Sequence, residues 1–218
     1  MAVAYNTFIP SSNLIFCVDY QNPKSYSGSG TSVNDLGGYF STGTLQNGAA
    51  VDANGFSFDG SNDRLVFGSK SLDVSAGYTA VMIARFDSFN GGSFRYNQPP
   101  LYINFYSGNN AKLRWETYAG NAMRTAADLP TNQFVFVAGT YAGTATQGGT
   151  ATAKTYINGA LDNTATLQSG PTVTADFVLG EYAGYFDGSI KYFSFYNREL
   201  SAAEIKQIYE SLNERFGI

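Results

Sequence analysis

The segment Lys154-Thr-Tyr-Ile-Asn-Gly-Ala-Leu161 carries the clearest fold signal in the chain. Asn158-Gly159 supplies the two positive φ angles of a two-residue type I′ turn, and strand-forming residues flank the pair on both sides. The segment therefore predicts a tight antiparallel hairpin. Outward in both directions, short apolar stretches alternate with turns rich in Gly, Asn, Ser and Thr, and Gly alone accounts for 24 residues. This alternation of short apolar stretches and turns is typical of a chain with many short strands, so we expect an all-β protein.

Residues 112–118 show the alternation that a strand with one buried face requires. Arg114 and Glu116 point to one side, while Leu113 and Trp115 point to the other. The same criteria predict enough strands for two packed antiparallel sheets. The predicted strands are residues 14–20, 55–58, 64–67, 78–87, 101–106, 112–118, 133–141, 151–157, 160–164, 177–180 and 188–196.

The C-terminal segment predicts a short helix. Ser201 and Glu204 have the spacing of a capping box, and the apolar residues that follow recur at helical spacing. We expect this helix to pack one apolar stripe onto the sandwich. The stripe consists of Ile205, Ile208, Tyr209, Leu212 and Phe216.

The domain organisation predicted from the sequence is an N-terminal arm at residues 1–12 and a single β-sandwich domain at 13–218. The arm lacks strand or helix periodicity, and the Gly- and Thr-rich segment 142–152 has the length of a long hairpin loop. No Lys or Arg precedes a hydrophobic run in the arm, so we expect no signal peptide and synthesis in a host cytoplasm.

The composition excludes several classes of function. Charged residues make up 14% of the chain, against a globular average of about 25%, whereas aromatic residues make up 16%. The chain contains no His, which excludes catalytic triads, haem sites and zinc sites that depend on an imidazole. Its one Cys, Cys17, cannot close an intramolecular disulfide, and its place within a strand favours a core residue over a nucleophile.

The charge balance also limits the partners. The net charge of −4 gives no counterion-release driving force toward nucleic acid or anionic lipid. No apolar run approaches the roughly 18–20 residues of a bilayer-spanning helix. We therefore expect neither nucleic acid nor a membrane as a partner.

Several segments, in order along the chain, resemble the laminin G-like jelly-roll domains of the concanavalin A-like lectin/glucanase superfamily. The resemblance implies a two-sheet antiparallel jelly-roll sandwich with a short C-terminal helix. The segments are residues 13–19, 22–30, 35–36, 43–48, 56–63, 156–161, 186–190 and 195–201.

The opening of the chain, residues 19–26, is similar to versions of this domain in virion proteins of tailed phages. That similarity implies a non-enzymatic structural protein, above all a capsid (head) decoration protein exposed on the virion surface. Its partners would then be other capsid or tail proteins and, in a homo-oligomer, copies of itself. The alternative is a carbohydrate-binding, lectin-like receptor-binding module of a tail fibre or cell surface, with a cell-surface glycan as partner.

An enzymatic function is not expected. Glycoside hydrolysis needs two carboxylates about 5–10 Å apart across the scissile bond. The glucanases of this superfamily carry theirs on one strand as Glu-x-Asp-x-x-Glu, and this chain has no such run. Glu116 stands on a predicted strand and Glu181 lies near a turn.

Two groups of residues are candidates for contact with a carbohydrate or with a protein partner. Sugars stack their C–H faces on aromatic rings and bond their hydroxyls to planar polar groups, but Tyr and Arg are also enriched in protein interfaces. The first group requires that two predicted strands are neighbours, and the second lies in a predicted contact loop at residues 87–100. The groups are Tyr102, Asn104, Tyr106, Arg114, Glu116 and Tyr118, and then Phe94, Arg95 and Tyr96.

A structural calcium is the one cofactor that the sequence suggests. Domains of the resembled kind often hold one calcium ion at the edge of the sandwich. If the first and last strands pair antiparallel, as the resemblance implies, Asp19 lies near Asp187 and the two carboxylates become candidate ligands. The alternative is that both residues form Asx turns.

Overall fold

The computed structural model describes residues 9–73, 75–89, 92–96, 101–104, 111–118, 121–144, 146, 148–170, 172–181 and 184–218. For residues 92–96, 101, 102, 104, 117, 118 and 173 the description covers the backbone. Within these ranges the chain forms β1 (Leu14–Asp19), β2 (Ser32–Val33), β3 (Gly43–Gln46), β4 (Ala50–Asp52), β5 (Gly55–Asp59), β6 (Arg64–Leu72), β7 (Tyr78–Phe86), β8 (Gly92–Tyr96), β9 (Leu101–Asn104), β10 (Arg114–Tyr118), β11 (Asn121–Arg124), β12 (Phe134–Tyr141), β13 (Thr150–Ile157), β14 (Ala160–Gln168), β15 (Val173–Leu179), β16 (Asp187–Tyr196) and α1 (Ala202–Phe216).

The strands form two antiparallel sheets, which confirms the predicted all-β sandwich. Sheet 1 has the order β14-β13-β12-β7-β16-β5-β4, and β1 also pairs with β16. Sheet 2 has the order β11-β10-β9-β8-β15-β6-β3-β2. The long strand β16 holds two partners end to end on one edge, because its first half pairs with β5 and its second half with β1.

The predicted hairpin is confirmed as β13 and β14. Asn158 and Gly159 have φ angles of 48° and 75°, and Ile157 pairs with Ala160 on either side of the turn. The absence of a side chain at Gly159 also matters for packing, because a Cβ there would lie 2.7 Å from a ring carbon of Tyr209 in α1. The turn therefore fixes the hairpin against the helix.

Phe16 lies at the centre of the core between the sheets. Its ring centroid is 4.0 Å from that of Phe177 and 4.7 Å from that of Phe67, both on sheet 2. It is also 6.1 Å from the ring of Phe193 on sheet 1. Edge-to-face and tilted ring pairs of this kind add to the energy of burial. This aromatic cluster joins the two sheets.

Helix α1 begins and ends at the residues that the sequence predicts. The Ser201 side chain accepts a hydrogen bond from the Glu204 N–H, and the Glu204 carboxylate accepts one from the Ser201 N–H, so the capping box is complete. Gly217 closes the C-terminus in the left-handed conformation, with a φ of 63°.

The apolar stripe of α1 packs on the outer face of sheet 1. Ile205, Ile208 and Leu212 are buried in a second apolar cluster, which includes Ile83 of β7 and Phe136 of β12. Sheet 1 is therefore covered on both faces, by the core on one side and by the helix on the other.

The sequence-based prediction misses several strands. The short strands β2, β3, β4 and β11 have two to four residues each, too few to show a period. The prediction that residues 87–100 form a loop is wrong for residues 92–96, which form β8 between β9 and β15. Two adjacent Gly residues obscure the strand there, and its pairing with β15 joins segments far apart in the chain.

Candidate functional site

The strands that carry the first predicted contact group are neighbours, as the prediction requires. β9 and β10 pair antiparallel, with Asn104 opposite Arg114 and Tyr102 opposite Glu116. Directly opposite positions of an antiparallel pair lie on one face of the sheet. These four positions therefore share one face of sheet 2, which alternates with the core positions Ile103 and Trp115.

The same face extends onto the strands on both sides. Arg95 of β8 lies opposite Tyr102, and Arg124 of β11 lies opposite Arg114. We call the positions Arg95, Tyr102, Asn104, Arg114, Glu116 and Arg124 the polar face of sheet 2. Arg124 has an exposed side chain, and sequence analysis missed it because β11 is too short to show alternation.

Arg114 and Glu116 form a buried ion pair on this face. The Arg114 Nη1 donates to the Glu116 Oε2, and the two side chains are 10% and 7% exposed. Between them Trp115 points into the core, where it lies against Gly139. A Cβ at Gly139 would come within 2.1 Å of the indole nitrogen, so only glycine fits at that position. The buried ion pair therefore lies at the base of the polar face. On the opposite side of β10, Trp115 packs into the core and holds the strand in place.

The structure assigns different faces to the members of the second predicted group. Arg95 lies opposite Val178 of β15 and belongs to the polar face. Phe94 and Tyr96 lie opposite Leu179 and Phe177, whose side chains are fully buried in the core. Their placement together in one contact loop is therefore wrong, because strand pairing puts alternate residues on opposite faces.

Some of the predicted contact residues lie wholly or partly outside the described part of the chain. Tyr106 lies outside the described residues. For six others the backbone is described and the side chain lies outside the description. These are Phe94, Arg95, Tyr96, Tyr102, Asn104 and Tyr118.

A second polar group lies near the other end of sheet 2. The Arg64 Nε donates to the Gln46 Oε1 at 2.9 Å, and the Arg64 Nη1 donates to the Glu181 Oε2 at 3.1 Å. Arg64 and Gln46 are cross-strand neighbours on β6 and β3. Alternation with the buried Leu45 and Leu65 is the sequence signal that could have found these two residues.

Asp19 does not meet Asp187, contrary to the calcium hypothesis. β1 and β16 do pair antiparallel, but the register places Asp19 opposite Tyr192. The Asp19 carboxylate instead accepts two hydrogen bonds from Arg215 at the end of α1, one of them at 2.8 Å from Nη2 to Oδ1. It also accepts from the Gln21 N–H at 3.1 Å, so the Asx-turn alternative is confirmed for this residue.

Asp187 lies at the start of β16, opposite Asp59 of β5. Across the described ranges, no group of three or more His, Cys, Asp or Glu side chains is arranged to hold a metal ion. The two carboxylates therefore lie on different strands: Asp19 ends β1 and bonds Arg215 of α1, whereas Asp187 begins β16 opposite Asp59 of β5.

Cys17 lies under the helix rather than at a reactive site. Its side chain is 5% exposed, and burial raises the pKa of the thiol to about 12. The thiol is therefore protonated at neutral pH, as expected for a packing residue. Among the described residues, none of the helical segments has the length and hydropathy of a membrane span.

Solved structures of similar fold include domains of carbohydrate-active proteins. Domain 4 of AbnA, a GH43 extracellular arabinanase from Geobacillus stearothermophilus, solved in complex with arabinotriose, matches 90% of this chain and 98% of its own length, with 17% identity and a TM-score of 0.61. Trypanosoma rangeli sialidase matches 95% of this chain with 16% identity and a TM-score of 0.64, but the match spans only 34% of the sialidase.

The botulinum neurotoxin type G receptor binding domain has a TM-score of 0.61 and 15% identity, with 91% of this chain and 51% of that domain covered. Identities this low show a shared fold and leave function to the site itself. No curated protein matches the chain significantly.

The sequence itself assigns the family, independently of these structures. The matched region runs from the end of β5 through the first turns of α1 and includes every strand of the polar face of sheet 2. Because the family model for the concanavalin A-like lectin/glucanases superfamily matches residues 59–206, more than half of the chain, the protein belongs to that superfamily.

Proposed function

We propose that the chain is a non-catalytic carbohydrate-binding module that holds its ligand on the polar face of sheet 2. The observation that carries the proposal is the strand register, which gathers aromatic, amide, guanidinium and carboxylate residues from four strands onto one face. The outer face of sheet 1 is unsuited to this role because α1 covers it.

The chemistry of the face fits a sugar. Planar amide and guanidinium groups form paired hydrogen bonds with vicinal hydroxyls, and an aromatic ring accepts the C–H face of a pyranose. Arg124 is the exposed member with a described side chain. The buried pair of Arg114 and Glu116 would hold β10 rigid beneath the ligand, which lowers the ordering cost of binding.

The carboxylates of sheet 2 support binding rather than hydrolysis. Glu116 is paired with Arg114, and Glu181 with Arg64. A glycosidase needs one carboxyl group that holds a proton and a second that attacks or activates water. In this chain each of these two carboxylates instead bonds to an arginine guanidinium group, which favours a binding role.

A glycan array followed by isothermal titration calorimetry tests this proposal. The variant Arg124→Ala should bind the best array ligand about 10-fold more weakly or worse, since it removes a charged hydrogen-bond donor. Lys206→Ala, which removes an exposed cation on α1, is the matched control and should bind like the wild type. Absence of any array ligand for the wild type, or equal affinity of Arg124→Ala, would overturn the proposal.

We further propose that the module is displayed on the virion surface of a tailed phage, as a head decoration protein or as part of a tail fibre. The resemblance of residues 19–26 to phage virion domains supports this placement, as does the low content of charged residues, 14%, which suits repeated contact with capsid proteins or with copies of itself. Immunogold labelling of purified particles tests it. Label across the head indicates decoration, label at the tail tip indicates receptor binding, and unlabelled particles would refute a virion role.

A further inference from the structure

The face of sheet 2 that points away from the core continues beyond the four strands of the polar face. Val178 of β15 lies opposite Arg95 and, on its other side, opposite Val66 of β6. Val66 in turn lies opposite Thr44 of β3. Opposite positions of antiparallel strands share a face, so one row of outward positions crosses seven strands. The row consists of Thr44, Val66, Val178, Arg95, Tyr102, Glu116 and Ala122.

The middle of this row is recessed. The adjacent positions Leu65, Leu179 and Ile103 point into the core and are at most 1% exposed, so the row itself points away from the core. Val178 is nevertheless only 1% exposed, whereas Thr44 at the end of the row is exposed. Atoms around Val178 must therefore stand higher than its side chain, as they do along the bottom of a groove.

The polar residues at the far end of sheet 2 lie on the same face. We call Gln46, Arg64 and Glu181 the Arg64 group. Arg64 lies two residues before Val66 on β6, and Gln46 lies opposite Arg64 on β3. Residues two apart on a strand point to the same side, so the Arg64 group borders the row.

The Arg64 group repeats the chemistry of the polar face. In the Arg64 group, a guanidinium bonds a carboxylate and an amide. On β10, Arg114 bonds Glu116 and lies opposite Asn104, which gives the same three residue chemistries. β6 and β10 are four strand spacings apart, or about 19 Å at about 4.8 Å per spacing. A surface that presents one pattern twice at this distance suits a ligand of repeated units, and a monosaccharide is too short to meet both.

Arg64 is oriented before any ligand binds. Its bonds to the Gln46 Oε1 at 2.9 Å and the Glu181 Oε2 at 3.1 Å use two of the five N–H donors of a guanidinium group. The Arg64 side chain is 36% exposed and that of Glu181 is 22% exposed, so a ligand can reach both. A guanidinium held in this way loses little freedom on binding.

We infer that the ligand is a linear oligosaccharide, which lies across the strands of sheet 2 and contacts both the polar face and the Arg64 group. The polar groups at the two ends bond hydroxyls of non-adjacent sugar units, and the recessed row receives the units between them. Because one molecule makes both contacts, the second contact forms at a high effective concentration. The inference rests on the proposed function, to which it adds the length of the ligand and the Arg64 group.

Isothermal titration calorimetry with saccharides of increasing length tests the inference. The probes are ladders of cello-, xylo-, manno-, arabino- and galacturono-oligosaccharides, each from the monosaccharide to the octasaccharide. We expect the wild type to bind at least one octasaccharide about 10-fold or more tightly than the disaccharide of the same ladder. Reduction of the terminal sugar to an alditol should leave that affinity unchanged, because internal units make the contacts.

Variants at the far end of the face should shorten the effective binding surface. Arg64→Ala should bind the octasaccharide about 10-fold more weakly and the disaccharide within about 2-fold of the wild type, because only the long ligand reaches both groups. Gln46→Ala leaves the pair of Arg64 and Glu181 intact and should lose about 3-fold for the octasaccharide. Each variant is first checked for a native circular dichroism spectrum and melting curve.

Lys70→Ala is the matched control. It removes a cation from the same strand, but Lys70 lies opposite the buried Ala175 and therefore on the other face of the sheet. This variant should bind every ladder like the wild type. A loss equal to that of Arg64→Ala would assign the effect to the charge of β6 in general and overturn the inference.

The outcomes separate this inference from the proposed function. If affinity does not rise beyond the disaccharide, or if Arg64→Ala binds every length like the wild type while Arg124→Ala loses affinity, the linear arrangement is refuted and the proposed function stands. An equal loss of Arg64→Ala for short and long ligands also refutes it, because the Arg64 group would then act on a single short site. If the wild type binds none of the ladders, the inference fails, and the glycan array decides whether the proposed function fails with it.

Discussion

The outer faces of the two sheets are built from similar antiparallel strands but carry opposite kinds of side chain. On sheet 1 the outward residues include Val81, Ile83 and Phe136, all completely buried under the apolar stripe of α1. On sheet 2 the positions on β8 to β11 are Arg, Tyr, Asn and Glu, and the one helix of the described chain packs elsewhere. One face is closed by apolar burial, whereas the other keeps hydrogen-bonding groups.

If the proposed function holds, this difference separates the face that stabilises the fold from the face that binds a ligand. Burial of aliphatic side chains contributes roughly 1.5–3 kcal/mol each, so the helix-covered face adds a second core to the sandwich. The polar face adds less net stability, because ion pairs and hydrogen bonds replace similar bonds to water. Changes under α1 should therefore affect folding, and changes on the polar face should affect binding. The buried pair on β10 is the place where this division can fail.

Removal of one partner from that buried pair should have the largest effect. Glu116→Ala leaves the Arg114 guanidinium buried without its carboxylate, and we expect it to lower the free energy of unfolding by about 3–5 kcal/mol. Urea denaturation measures the change. The double variant Arg114→Met/Glu116→Leu should recover most of that stability, since apolar side chains fit a buried position.

The exposed ion pair just before β10 gives the matched control. Lys112 and Asp128 are 3.9 Å apart with side chains 35% and 71% exposed, so Lys112→Ala should cost less than about 0.5 kcal/mol. A small effect of Glu116→Ala would contradict the expected structural role of the buried pair, and the division would then hold on β10 as well. If the double variant is stable but binds no saccharide, the pair serves recognition.

The contact between α1 and sheet 1 should give the next largest effect. Ile208 is completely buried, and Ile208→Ala should lower the free energy of unfolding by about 3 kcal/mol through lost transfer energy and a residual cavity. The exposed neighbour Lys206→Ala should change it by less than about 0.5 kcal/mol. Saccharide affinity of folded Ile208→Ala should equal that of the wild type. A loss of affinity would mean that the two faces are coupled through the core.

Local sequence patterns predicted the parts of this comparison that depend on neighbouring residues. The turn at Asn158-Gly159, the capping box at Ser201 and Glu204, and the alternation along β10 all depend on residues a few positions apart. Each was correct because short-range geometry determines it.

The features that sequence analysis missed depend on long-range pairing. Arg215 bonds Asp19 across 196 residues, and no local pattern indicates that the helix end would take the carboxylate proposed for calcium. β8 was missed because its pairing with β15 determines that it is a strand. Register, which no single segment specifies, also decided which members of the contact groups share a face.

A third prediction concerns the junction between the two sheets. Asp162 of β14 accepts hydrogen bonds from the N–H groups of Ala126 and Ala127, at 2.7 and 2.9 Å, and from the Thr155 hydroxyl at 2.9 Å. Because this carboxylate ties the segment after β11 to the hairpin of sheet 1, Asp162→Ala should cost about 2 kcal/mol in urea denaturation.

Asp128→Ala, in the same segment but 71% exposed, is the control and should be nearly neutral. Hydrogen exchange gives a second readout. Amides of β11 should exchange faster in Asp162→Ala, whereas those of β7 should not. Equal acceleration in both strands would show that the junction unfolds only with the whole sandwich, and the two sheets would then form one cooperative unit.

The smallest effect is expected at the start of α1, where it should depend on pH. Hydrogen bonds from Arg198 lower the pKa of Glu204 from 4.5 to about 2, and the Ser201 N–H also contributes. Because the pKa is lower in the folded state, this carboxylate stabilises the fold above about pH 4.5, and that contribution is lost as the pH falls toward 2.

Both partners are 28% exposed, so we expect Glu204→Gln to cost only about 1–2 kcal/mol at pH 7. Urea midpoints of the two proteins should therefore approach each other as the pH falls from about 4.5 toward 2, whereas Glu210→Gln, 63% exposed on the same helix, should follow the wild type throughout. If the difference in urea midpoint between Glu204→Gln and the wild type stays constant with pH, the effect comes from lost capping hydrogen bonds and not from charge. The packing of α1 on sheet 1 would then depend on the geometry of the helix N-terminus.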